Sequence, residues 1–232
     1  MKSTKTLSLE SNLSDQEYRE LLEEIRWQSG FSCPRCSHDR GYWIQTRRLY
    51  QRKKCSLQTS ATSNTAFHGI RNLRAFIGTL FTFLQPKPIP ATKISTRFEI
   101  RYHTGWTTMH RIRKNIAPYI VQPRNYSHVS CELLKEALTK SSSCHTAVQA
   151  QNADLQSEAA LPSLVYRFIF FLIVHYRGVS QKYAQNYAVE FSFRKVARKI
   201  SPLCLLEAFI RGSPITAKEV SGTVASSVVY LV

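Results

Sequence analysis

Apolar residues recur at helical spacing near the start of the chain. Ser14-Asp-Gln-Glu17 has the S-x-x-E form of a capping box, and Tyr18, Leu21, Leu22 and Ile25 follow it on one face. The spacing predicts an amphipathic helix over about 15–28, with Gly30 ending it and no ordered structure expected over 1–13. Between 41 and 61 the helical period disappears. Tyr, Trp, Ile and Thr dominate there, which predicts short strands. Leu73, Phe76, Ile77, Leu80, Phe81 and Leu84 then form one face of a helix over about 72–85, stopped by Pro86-Lys-Pro88-Ile-Pro90.

Two helices are expected next, over about 91–98 and 103–116, joined by the short Glu99-Ile-Arg-Tyr102 connection. Trp106, Met109, Ile112 and Ile116 would face inward on the second. Its remaining faces carry Thr107, His110, Arg111, Arg113 and Lys114. A helix-turn-helix would place Thr107, His110 and Arg111 near base edges and Arg113 and Lys114 on phosphate, with Arg101 contributing from the turn. The plainer reading is a basic amphipathic helix. Beyond Pro118 the expected elements are a helix over 129–139, a Ser/Gln/Ala-rich loop over 141–157 and helical blocks over 162–177 and 180–211. No internal repeat is evident.

Charge sharpens this picture. The net charge is +17, but residues 1–30 carry four basic and six acidic side chains, whereas 31–125 carry seventeen basic and two acidic ones. A positive block of that kind suits a polyanion, since neutralising phosphates releases counterions. The alternative is a merely solvated basic surface or association with ribosomes. The most apolar run, 168–174, is too short for a bilayer, which needs about 20 residues. Membrane partners are therefore not expected.

Of the six cysteines, Cys33, Cys36 and Cys55 are clustered in sequence. The N-terminus lacks a secretory pattern, so a cytoplasmic, reducing setting without disulfides is expected. Cys33-Pro-Arg-Cys36 is a C-x-x-C knuckle of the type that holds zinc, but the position three before Cys55 is Arg52, which cannot ligate. The candidate ligands are Cys33, Cys36 and Cys55 with His38 as the fourth, and Cys131 as another substitute. Zinc would be structural there.

These segments together resemble insertion-sequence transposases of the ISXO2-like group, which carry a zinc ribbon ahead of a DDE-type catalytic domain. The resemblance runs through Tyr18–Trp27, Gly30–His38, Leu49–Ser60, Thr65–Gly69 and the Trp106–Arg113 helix, and returns at Gly178–Tyr183 and Tyr187–Arg194. It implies an α+β protein: zinc ribbon and helix-turn-helix, then an incomplete, mostly helical remnant of an RNase H-like domain. The implied organisation is a tail and helix over 1–30, a ribbon over 31–66, a DNA-binding helical region over 67–118 and the remnant over 119–232. The implied function is binding of insertion-sequence ends as double-stranded DNA, with a second copy or an intact transposase as a further partner.

The departures bear on catalysis. Three acidic residues on the RNase H-like sheet would hold two divalent ions such as Mg²⁺. No Asp lies between Asp39 and Asp154, and Cys131 stands where the family's second aspartate would follow Val-Ser. Glu190 reads as structural. No catalytic residue is therefore assigned, and the chain reads as a degenerate or internally deleted copy. Three other readings stay open. They are an active transposase with a non-standard site, a stand-alone ribbon acting on nucleic acid, and a chain without a stable fold in which 162–177 would lie exposed.

Overall fold

The computed structural model describes residues 13–53, 55–120, 127–132, 134, 163–176 and 179–231. The expected loop over 141–157 and nearly all of the expected tail lie outside these residues. The described chain forms two units. The first contains residues up to Leu84 together with Lys199–Thr216, and the second contains Gln85–Arg198 and Ala217–Val232. The segment 67–118, expected to be one domain, is thus shared between them.

In the first unit, α1 (Asp15–Arg26) starts as the sequence predicts. Ser14 accepts from the Glu17 backbone, and the Glu17 carboxylate accepts from the Ser14 backbone at 2.9 Å. Two of the four N–H groups a helix start leaves open are satisfied this way. Tyr18 and Leu22 bury the apolar face. The strands β1 (Gly41–Ile44), β2 (Leu49–Arg52) and β3 (Gln58–Thr59) form an antiparallel sheet in that order. Arg48, in the β1–β2 turn, pairs with Glu23 at 2.7 Å and Glu20 at 3.3 Å on α1. Arg26 donates to the carbonyls of Ser60, Ala61 and Ser63, tying α1 to the turn after β3.

The helix α2 (Leu73–Thr82) is capped by the Asn72 side chain, and Asp15 accepts from the Arg74 backbone at 2.7 Å. It stops three residues short of the expected end. Phe76 meets Phe67 and Phe209, the last from α7 (Pro202–Arg211), in an aromatic triad with centroids 5.6–6.4 Å apart.

The second unit begins with α3 (Ala91–Phe98) and α4 (Tyr102–Ile120). Glu99 takes the left-handed conformation, φ 54°, and closes α3, and the Ile100 N–H returns to the Ser95 carbonyl at 3.0 Å. Gly105 lies at the crossing. A Cβ there would sit 3.4 Å from the Ala91 carbonyl and 3.5 Å from Ile94, in ordinary contact with α3. The expected end of α4 near 116 is exceeded, because the helix passes through Pro118.

The strand β4 (Ser127–Ser130) pairs antiparallel with β5 (Val228–Leu231). Val129 and Ser130 are therefore in a strand, and the helix expected from 129 starts at Cys131. The block expected over 180–211 is two α-helices, α6 (Ala184–Val196) and α7, and the short α8 (Ala217–Ser221) follows. The helix α5 (Ser163–Tyr176) buries Val165, Phe168 and Leu172 in a cluster with Ala184, Ala188 and Phe191 of α6 and Val229 and Leu231 of β5. Fully burying each such large apolar side chain is worth about 1.5–3 kcal/mol. The open reading in which 162–177 would lie exposed is therefore not what the described residues of that stretch show. Its opposite face leaves Tyr166, Phe170 and Val174 exposed.

Candidate functional site

The ribbon builds its cysteine site from two knuckles of the same shape. In the first, the Cys33 N–H donates to the His38 carbonyl at 3.0 Å and Ser37 is left-handed, φ 55°. In the second, the Arg52 N–H donates to the Leu57 carbonyl at 3.1 Å and Ser56 is left-handed, φ 53°. Arg52 therefore stands in the second knuckle where Cys33 stands in the first. The sulfurs of Cys33, Cys36 and Cys55 lie within 4.8 Å of one another, with Cys33 and Cys55 at 4.0 Å. Sulfurs on one tetrahedral zinc are about 3.8 Å apart, given Zn–S bonds of about 2.3 Å. The three thiols thus fit a single ion.

The fourth corner belongs to Arg52. Its guanidinium is buried and donates from Nη1 to the Cys36 sulfur, while its buried Nε finds no acceptor among the described residues. His38 does not join the sulfurs. Its side chain is exposed, and its carbonyl is committed to closing the knuckle. Cys131 is buried in the apolar cluster of the second unit.

Burial pushes the Cys33 thiol up, but hydrogen bonds from the Arg35 and Cys36 backbones and from the other two thiols outweigh it, giving a pKa of about 7. Burial and the bond to Cys33 raise Cys36. Burial opposes the Arg52 charge, yet the neighbouring sulfurs hold its proton more firmly than usual. Zinc on three thiolates would carry a net charge of −1, which Arg52 balances. The residues that would hold it are Cys33, Cys36 and Cys55, and the ion would clamp the knuckles rather than activate water.

The helix pair presents a different set of residues from the one expected. His110 and Arg113 are 0% and 1% exposed, and Thr107 is also buried. The assignment of these three to base edges and phosphate is corrected on that ground. Two helices cover α4 from different sides: α3 packs across Gly105, and α6 supplies partners for His110 and Arg113. Arg113 Nε donates to Glu190 Oε2 at 2.8 Å, and Nη2 is 2.8 Å from the same oxygen. Arg194 donates to Glu190 Oε1 from Nε and Nη2, at 2.9 and 2.6 Å, and the Tyr176 hydroxyl donates to it at 2.7 Å. His110 lies 3.3 Å from Arg113 Nη1 and 3.1 Å from Asn186 Nδ2.

The electrostatics follow from this packing. Burial, then Arg113 and Lys114, lower His110 to about 2, so the ring is neutral at pH 7. Burial disfavours the Glu190 charge, but Arg113 and Arg194 more than compensate and its pKa falls.

Arg111 and Lys114 are half-buried, and Lys114 donates to the Glu219 carbonyl at 3.2 Å. Arg101 is exposed. Other exposed polar residues that the sequence analysis did not single out lie on either side of it in the chain. Lys93, Arg97, His103 and Thr104 are also exposed, around the start of α4, and Glu99 is the one acid among the exposed residues of 91–104.

Residues 13–58 match the family model described as transposase zinc-ribbon domain. The matched stretch contains α1, the first two strands and all three converging cysteines. It relates this part of the chain to zinc-ribbon transposases, for which nucleic-acid binding is a fitting role. No curated protein and no solved structure matches the chain. Among the described residues, no helix is long and apolar enough to cross a membrane.

Proposed function

We propose that the chain is a transposase-family protein that binds insertion-sequence ends as double-stranded DNA and does not cut them. The observation that carries this reading is the run of exposed basic side chains over α3 and the start of α4, Lys93, Arg97, Arg101 and His103. In a helix-turn-helix, the N-terminal residues of the second helix reach base edges. Arg101, His103 and Thr104 have that place here, with Lys93 and Arg97 on phosphate. The family match at 13–58 supplies the link to transposition, and the ribbon, with structural zinc on three cysteines, is the second DNA-binding element.

The lack of cleavage rests on Glu190. Two-metal chemistry needs carboxylates free to hold divalent ions. Glu190 has no exposed surface, and both its oxygens are taken by Arg113, Arg194 and Tyr176. Cys131, at the end of β4 where an aspartate would follow Val-Ser, is buried among apolar side chains. The second unit is read as the remnant of an RNase H-like domain on the strength of that strand-to-helix junction.

The test is equilibrium binding of the full chain to duplexes from the ends of its own locus and to scrambled duplexes, over a salt series. End DNA should bind at least about tenfold more tightly at moderate salt, with a log–log salt slope of several phosphates. Equal, salt-sensitive binding to every duplex would reduce the role to bare charge. Nicking of end DNA in Mg²⁺ or Mn²⁺ would restore the active-transposase reading.

A further inference from the structure

The second unit contains a cleft of about 770 Å³ between α3, α4, the end of α5 and residues 179–187. That volume is within the range of small-molecule sites, about 300–1,000 Å³. Five of its lining side chains are Tyr or Trp. Trp106 and Tyr183 meet edge to face at 4.9 Å, Tyr176 and Tyr187 at 4.7 Å, and Tyr102 stands at the rim, 54% exposed. A large aromatic ring left half in water gains little from folding, and its open face is free to stack.

The cleft is also electropositive. Arg113 lines it, lying 3.9 Å over the Tyr187 ring. Its own charge is paired with Glu190. Lys93, an exposed cation, also lines it, and among the described residues no carboxylate does. A ligand suited to these walls is flat, aromatic and anionic, which is the chemistry of a nucleotide.

We propose that this cleft receives one unpaired nucleotide of a DNA strand. The base would stack against Tyr102, Trp106 and Tyr183, and its phosphate would lie toward Lys93. Stacking on aromatic side chains beside a basic track is how single strands are held without sequence readout, and extruded bases are held in pockets of this kind. A strand is favoured over a free nucleotide because further exposed basic side chains, Arg97 and Arg101, lie on the same two helices, α3 and the start of α4, that carry Lys93 and Tyr102. The inference takes its strand from the DNA-binding reading above, but its readout is separate.

The test uses the full chain and 2-aminopurine. One duplex carries it unpaired, opposite an abasic position, a second carries it fully paired, and free 2-aminopurine deoxynucleoside monophosphate is the third probe. The unpaired duplex should bind about tenfold more tightly than the paired one, with 2-aminopurine fluorescence quenched on binding. Tyr102→Ala should remove most of that preference. Ser180→Trp, at an exposed position on the cleft wall, should block the quenching and leave paired-duplex binding unchanged. Equal affinity for the two duplexes without quenching would overturn the proposal, as would quenching indifferent to both variants. Free monophosphate binding as tightly as the unpaired strand would overturn the strand as its source. Quenching by the unpaired strand with no preference for end sequences would uphold the cleft and sink the duplex reading instead.

Discussion

Arg113 on α4 and Glu190 on α6 form an ion pair at 2.8 Å with side chains 1% and 0% exposed. The pair joins the helix expected to read DNA to one that the sequence places 77 residues away. Arg194 and Tyr176 complete the carboxylate's coordination, and Tyr187 lies against the Arg113 guanidinium. A charge with this many partners holds two helices in register. It is not available to a phosphate or to a divalent ion.

Breaking the pair leaves a buried guanidinium short of its counter-charge. Glu190→Gln should cost about 3–5 kcal/mol. Urea unfolding followed by circular dichroism measures it, and a loss below about 1 kcal/mol would show that the network does not hold the second unit together.

Acid should weaken the same region. His110 is neutral in the folded chain down to pH about 2, whereas an unfolded histidine takes up its proton near 6.5. The unfolded state therefore binds more protons below about 6.5, and the stability His110 contributes, full above that pH, is lost progressively toward 2. Glu190, also depressed, adds a loss that starts below its ordinary value of 4.5. Urea midpoints should fall between pH 7.5 and pH 5, and His110→Gln should flatten that fall. A wild-type midpoint constant over this range would contradict the buried, neutral ring.

At the ribbon, Arg52→Cys supplies the sulfur that the second knuckle lacks. The variant should bind zinc with at least about tenfold higher affinity and show the d–d absorption of four-thiolate cobalt when loaded with Co²⁺. Competition against a chromophoric chelator gives the ratio. Unchanged affinity would mean that the backbone at 52 does not direct its side chain at the ion.

Surface and core arginines of the helix pair should separate cleanly. Arg101→Ala should weaken binding of duplex DNA and lower the salt slope by about one while leaving the unfolding midpoint in place. Arg113→Ala should instead lower the unfolding midpoint. The reverse assignment, with DNA affinity following Arg113 in a fully folded variant, would return that residue to the DNA interface.

The turn between α3 and α4 offers a gain in stability. Glu99 holds φ 54°, a conformation that costs a non-glycine residue about 1–2 kcal/mol. Glu99→Gly should recover about 0.5–1 kcal/mol in thermal unfolding. It also removes the acid from the exposed face, so duplex affinity should rise.

By itself, the sequence determined what is local. The capping box at Ser14–Glu17, the short strands after the first knuckle and the bounds of α3 are legible because each rests on residues within a few positions of one another. The missing zinc ligand was also legible, since the spacing back from Cys55 points to Arg52. The tertiary structure alone decided which face of α4 is free. The stripe of Trp106, Met109, Ile112 and Ile116 identifies one buried side, but a second side is buried by α6, and the burial of Arg113 depends on a carboxylate far along the chain. An arginine on a helix reads as exposed until its partner is known, because only pairing offsets the cost of removing its charge from water. The cleft has the same origin. Tyr102, Trp106, Tyr176 and Tyr183 have no common period, and they share a site only because three elements meet there.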